Sequence, residues 1–136
     1  MKNNLICDNS KRVIFLSQTY EGSKHDKSII DTEDWQLPKG IVVYEDSGFE
    51  GHFQKGVTIV RPVKKPKGKE LTKKQKASNK VKSSKRVLIE NAIGYVKIYR
   101  IVKDSIRLKK DNAKDLVMEL CCGIANYKIN YKCQLR

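Results

Sequence analysis

The chain changes character near its middle. In the first 60 residues apolar side chains come in short runs broken by turn residues, and from about residue 72 they recur every three or four positions. Leu5–Cys7 and residues 12–17 are two such runs, separated by Asp8-Asn9-Ser10-Lys11. Turn residues between β-rich runs predict a hairpin. Ser23-Lys24-His25-Asp26 offers N-cap candidates for a short helix reaching about Asp34, with Pro38 and Gly40 as punctuation behind it. Residues 41–44 (Ile-Val-Val-Tyr) read as a buried strand that must turn at Glu45-Asp46-Ser47-Gly48, and residues 57–60 as another strand.

Residues 61–68 mix prolines, lysines and a glycine, a composition that stays extended and exposed. Thr72 then stands as the cap of a long helix running to about Ile101, with Val87, Ile89, Ala92, Ile93, Val96 and Tyr99 as its apolar set. A last helix is predicted over about residues 111–127, with Leu116, Val117, Leu120, Cys121, Ile124 and Ala125 facing inward. Strands first and helices later, with a basic insert between them, describe an α/β layer.

Composition narrows the class. At 136 residues, 39% hydrophobic and 32% charged, the sequence holds one domain with a modest core. Its four cysteines are irregularly spaced, so a disulfide framework is excluded and reduced thiols are expected. No apolar run approaches the ~20 residues of a membrane span, and no signal or transit peptide is readable. The expectation is a soluble intracellular protein without a membrane partner.

The charge is unevenly placed. Residues 1–60 carry a net −2 and residues 87–136 a net +5, whereas residues 61–86 hold 12 basic side chains against Glu70 alone. A single stretch with most of an overall +14 fits a phosphate-contacting arm. A solvated lysine-rich loop is the plainer reading. Almost no aromatic residue interrupts the run, so base stacking is not indicated.

Two carboxylates stand out. Asp46 follows a strand and precedes Ser-Gly, which suits either a metal ligand at a sheet edge or an Asx cap on the bend. Glu90 lies mid-helix among Ile89, Ala92 and Ile93; at about 100° per residue Arg86 falls roughly 40° from it and Lys97 roughly 20°. That face is either an Arg86–Glu90 surface pair or a cation-binding carboxylate flanked by phosphate contacts. Only His25 and His52 are present, without ligand-like cysteine spacing, so zinc is not expected. Cys121-Cys122 reads as core, and there is no glycine-rich phosphate loop or Ser/His/Asp set.

These motifs together resemble a family. Residues 17–26 (Ser-Gln-Thr-Tyr-Glu-Gly-Ser-Lys-His-Asp) are similar to the Ser-x-Thr-Tyr-x-Gly-x-x-His-Asp stretch of bacterial insertion-sequence DDE transposases of the Harbinger-related branch. Asp46-Ser47-Gly48-Phe49-Glu50-Gly51 resembles the family's Asp-x-Gly-Tyr-x-Gly, residues 64–71 its basic segment, and Arg86-x3-Glu90-x6-Lys97 the Arg, Glu and Lys of its Tyr-Arg-Glu-Lys signature. The resemblance implies a partial RNase H-like α/β fold over residues 1–136, with a basic insert at about 61–86. It also implies DNA cleavage and strand transfer by a two-metal mechanism. Carried over, Asp46 and Glu90 are catalytic carboxylates and ligands of Mg²⁺ (or Mn²⁺). Arg86, Lys97, Lys64, Lys65, Lys67 and Lys69 contact DNA, at transposon ends or target, in the cytoplasm at the nucleoid.

The signature tyrosine is replaced by Ser83. The family's first catalytic Asp, on a strand in an Asp-Gly-Thr context, has no counterpart before Leu5, and Asp8 falls in the predicted hairpin turn. The expectation is the C-terminal half of such an enzyme, inactive alone, partnered by an upstream half or another transposase protomer. A non-catalytic basic DNA-binding module derived from a transposase stays open as the alternative.

Overall fold

The computed structural model describes residues 2–68, 70–104 and 112–134. It is a mixed α/β protein in which short strands precede long helices. The chain divides into two compact units, one of residues 1–24 with 88–136 and one of residues 25–87.

In the first unit β1 (Leu5–Cys7) and β2 (Val13–Leu16) form the expected antiparallel hairpin, pairing Leu5 with Leu16 and Ile6 with Phe15, with an irregularity between Ile6 and Cys7. Asp8 builds the turn. Its Oδ1 accepts from the Ser10 and Arg12 amides and its Oδ2 from Arg12 Nε at 2.8 Å, while Lys11 takes φ 68°. Partial burial pushes the Asp8 carboxyl up, but these Arg12 and Ser10 bonds and the Arg12 charge outweigh it, leaving the group below its ordinary 3.8.

The hairpin lies on α4 (Ala113–Gln134). Asn126 spans the two, its Oδ1 accepting from the Val13 amide at 2.8 Å and its Nδ2 donating to the Val13 carbonyl at 2.7 Å. One side chain thus satisfies two backbone groups of β2, which would otherwise need other partners. The core between them is Val96, Met118, Cys121, Cys122 and Ala125, with Val13, Leu16, Tyr95, Tyr99, Val102 and Val117 packed around it.

Here the helix faces differ from the sequence expectation. Leu116, Leu120 and Ile124, predicted inward, are 57%, 56% and 46% exposed, and Met118, Cys122 and Ile129 are buried instead. The reason is that α4 is apolar on two opposite sides, so spacing alone selects neither. The helix also runs on to Gln134 instead of residue 127, and the predicted start at Asp111 lies outside the described residues. The long helix, α2 (Lys73–Lys97), stops short of Ile101. Tyr99 adopts an extended backbone, joins the core from there, and begins α3 (Arg100–Lys103). No glycine or proline marks this break; tertiary packing makes it. Val87, expected in the apolar set, is exposed.

In the second unit α1 (Asp26–Glu33) buries Ile29 and Ile30, and Trp35 and Val57 are buried in the same unit. β3 (Val42–Tyr44) and β4 (Thr58–Val60) pair in parallel, Val42 opposite Thr58 and Tyr44 opposite Val60. The expected buried strand is corrected: Val42 and Tyr44 are 54% and 47% exposed, and only Val43 turns inward. A strand buried on both faces needs cover on both, and this two-stranded sheet has it on one. The first part of α2 opens with a capping box, in which Thr72 Oγ1 accepts from the Gln75 amide at 3.2 Å and Gln75 Oε1 accepts from the Thr72 amide at 2.9 Å. Among the described residues no helix is long and apolar enough to cross a membrane.

Candidate functional site

The pleat of β3 continues past its end. Val42 faces out, Val43 in, Tyr44 out, Glu45 in and Asp46 out. Glu45 is therefore the inner anchor and Asp46 the displayed carboxylate. The Glu45 and His52 side chains are only 7% and 6% exposed and meet through Oε1 and Nδ1 at 2.6 Å. Arg61, the first residue after β4, donates its Nε to Glu45 Oε2 at 3.0 Å and an Nη to the His52 carbonyl. Sequence reading passed over this cluster. Its signal was there, because a glutamate on the inward phase of a strand needs a cationic partner.

Asp46 itself caps a 3-10 turn, Ser47–Phe49, accepting the Ser47 amide on Oδ1 at 2.7 Å. The Asx cap and the displayed carboxylate are thus the same group, since Oδ2 lies 3.5 Å from an Arg86 Nη. Both side chains are about half exposed, at 49% and 45%. The glycines of the motif have separate jobs. A Cβ on Gly48 would sit 2.8 Å from Asp26 Oδ2, and Gly51 holds φ +85°, where side chains are strained.

The basic arm is positioned from the same unit. Asn79 on α2 clasps Val63, accepting its amide at 2.9 Å and donating to its carbonyl at 3.0 Å, and Lys82 donates to the Arg61 carbonyl at 2.8 Å. Lys64 pairs with Glu50, whose carboxyl this hydrogen bond and charge hold below the usual range. Lys65 and Lys76 lie 3.6 and 2.9 Å from Glu70. Lys67 is exposed, and Lys69 lies outside the described residues.

Asp46 and Arg86 are therefore brought together, with Lys64 and Lys65 on the arm of the same unit. Glu90 and Lys97 are exposed on the later part of α2, which belongs to the other unit. Lys97 ends the helix and borders a shallow cleft with Gly94, Ile98, Val102 and Lys103. Among the described residues no group of three or more His, Cys, Asp or Glu side chains is placed to hold a metal ion. The carboxylates present are hard oxygen donors, which suit a magnesium ion that keeps most of its waters.

Comparison with known proteins adds to this geometry. Residues 1–126 match the family described as DDE superfamily endonuclease. Over 112 residues the chain is 30% identical to a probable transposase for insertion sequence element IS702 from Microchaete diplosiphon, covering 82% of this chain and 40% of that protein. The chain thus spans less than half the length of that curated relative. No solved structure matches.

Proposed function

The chain belongs to the DDE superfamily endonuclease family, and from that premise we propose that it acts in DNA transposition, cleaving and rejoining phosphodiesters as part of an RNase H-like catalytic domain. Residues 1–136 are the later part of that domain. Asp46 and Glu90 hold Mg²⁺ or Mn²⁺; Arg86, Lys97, Lys64, Lys65, Lys67 and Lys69 hold the DNA, at element ends or target, in the bacterial cytoplasm. When bound, the divalent ion supplies Lewis-acid stabilisation of the attacking and leaving oxygens. An upstream transposase segment or a second protomer completes the carboxylate set.

The observation that carries the reading is Asp46, placed outward at the carboxyl end of a parallel strand beside Arg86. An ion pair between two half-exposed groups is worth about 0–1 kcal/mol, so Asp46 would exchange Arg86 for a divalent cation at little cost. The Arg86 guanidinium stands beside that carboxylate, and a guanidinium can meet a phosphate with two parallel hydrogen bonds. Asp46 keeps its aim meanwhile, because the Ser47 amide fixes Oδ1.

A second reading, DNA binding without catalysis, is favoured by the exposed arm and the +11 of residues 61–86. One experiment separates them. Binding to a labelled duplex in EDTA and joining of element-end DNA in Mg²⁺ or Mn²⁺ are measured for the chain, with and without the upstream segment, and for Asp46→Asn and Glu90→Gln. The enzyme reading expects Glu90→Gln to leave binding within about twofold and to abolish joining. Salt-steep binding with no joining in any combination rejects the enzyme reading and leaves the second.

A further inference from the structure

We propose that the first half of α2 carries a second phosphate-binding surface, made by Lys73, Lys74, Lys80 and Lys85, on the side of the helix away from Asp46 and Arg86. The inference rests on the DNA-binding part of the reading above and adds to it a separate seat for a duplex.

The cations of α2 are sorted by helix face. At about 100° per residue, Gln75, Asn79, Lys82 and Arg86 fall within an arc of roughly 60°. All four are engaged: Gln75 in the cap, Asn79 with Val63, Lys82 with the Arg61 carbonyl and Arg86 with Asp46. Lys73, Lys80, Lys74 and Lys85 fall in another arc about 140° wide, whose centre is about 160° from the first. All four are exposed, and among the described residues none of them has an acidic partner. The arm lysines differ in this respect, since Lys64 and Lys65 are engaged by Glu50 and Glu70.

The outer arc is built for close approach. Between its lysines lie Ala77, Val81 and Ser84, none longer than valine, so a phosphate backbone can come near the helix without meeting a long side chain. From Lys73 to Lys85 the helix rises about 18 Å, which a duplex can follow over several phosphates of one strand. No acidic residue occurs on α2 before Glu90.

These lysines also oppose the helix that carries them. Lys73 and Lys74 occupy the first turn, where the macrodipole disfavours cations, and the turn has no acidic residue to compensate. A surface helix selected only for solubility gains from mixed signs; this one improves when a polyanion arrives. The helix is about 10–12 Å across with side chains, so a straight duplex on the outer arc lies on the far side from Asp46. The two faces therefore take two duplex segments.

The test uses the full chain in EDTA with short labelled duplexes of random sequence. The slope of log K against log salt is measured for the wild type, for the outer set (Lys73, Lys74, Lys80 and Lys85 each →Gln) and for the arm set (Lys64, Lys65 and Lys67 each →Gln). Glutamine keeps helix propensity close to that of lysine, and far-UV circular dichroism verifies it. The outer set is expected to reduce the slope by about 3–4, near 0.9 per lost phosphate contact, and the matching Lys→Arg set to restore it. Native mass spectrometry with 12-base-pair duplexes is expected to show two duplexes on the wild type and one on the outer-set variant. An unchanged slope in the outer-set variant, or one duplex at saturation of the wild type, overturns the inference. If only the arm set lowers the slope, DNA binding stands and the second seat falls. If the wild type shows no salt-dependent binding, the DNA reading itself fails.

Discussion

Replacing Glu45 tests the anchor beneath Asp46. The side chain is buried and accepts from His52 Nδ1 at 2.6 Å and from Arg61 Nε at 3.0 Å. Glu45→Ala leaves a buried imidazole and a largely buried guanidinium facing a void. Removing one partner of a buried pair costs ~3–5 kcal/mol, and Arg61, still partly in contact with water, recovers some of it. The expected loss is therefore about 2–4 kcal/mol. Glu45→Gln keeps the shape and one acceptor but loses the charge, for which ~1–2 kcal/mol is expected. The assay is urea unfolding followed by fluorescence of Trp35, the single tryptophan, which is buried in the same unit as Glu45. An Arg61→Gln variant and the double variant complete a cycle, whose coupling energy is expected at about 1–2 kcal/mol. Should Glu45→Ala shift the Trp35 transition by less than about 0.5 kcal/mol, Glu45 is not an anchor.

Three further outcomes are expected. Met118→Ala should cost about 2–4 kcal/mol and Leu120→Ala less than about 1 kcal/mol in thermal unfolding, because only the first is core; equal losses would restore the helix face expected from sequence. Burial raises the Cys7 and Cys121 thiols and, with the Cys121 charge added, pushes Cys122 up to about 11. Mass-mapped alkylation at pH 7.5 should therefore label all three slowly until urea unfolds the chain, and rapid native labelling of Cys122 would contradict it. Asp8 is held below 3.8, so its contribution is present above that pH and is lost as pH falls through the folded value. The stability gap between wild type and Asp8→Asn should be constant from pH 5 to 7 and shrink below about pH 4; a gap that widens on acidification would reverse the assignment.

The elements were legible where side chains and turns agree locally. The Asp8 turn, the Thr72 cap and the lysine arm are each written in a few adjacent residues, and each stands where expected. The face of α4 was legible only in part: Cys121 and Ala125 are buried as expected, but Leu116, Leu120 and Ile124 are as apolar as Met118, Cys122 and Ile129 and could not be told from them. The break at Tyr99 was hidden for another reason: only its packing against Val96 and α4 marks it, and no local residue does. Of the site, Asp46 and Arg86 could be named from sequence, but their pairing across 40 residues could not. The Asn79 clasp on Val63, which holds the arm to α2, depends on the same kind of long-range placement.

The motif around Asp46 makes physical sense as one device. A carboxylate meant to face solvent at a strand end needs the preceding residue to hold the strand, and alternation assigns that work to Glu45. Two charges of the same sign one residue apart are tolerable because each has its own cation, Arg61 inside and Arg86 outside. The turn must then leave quickly: Gly48 gives room beside Asp26, and Gly51 supplies the left-handed backbone that brings His52 back under Glu45. Arg61 closes the circuit, since the arm that follows it starts from a residue fixed to the anchor of Asp46. Displayed carboxylate and basic arm are therefore set by one buried ion cluster, and a substitution in that cluster disturbs both together.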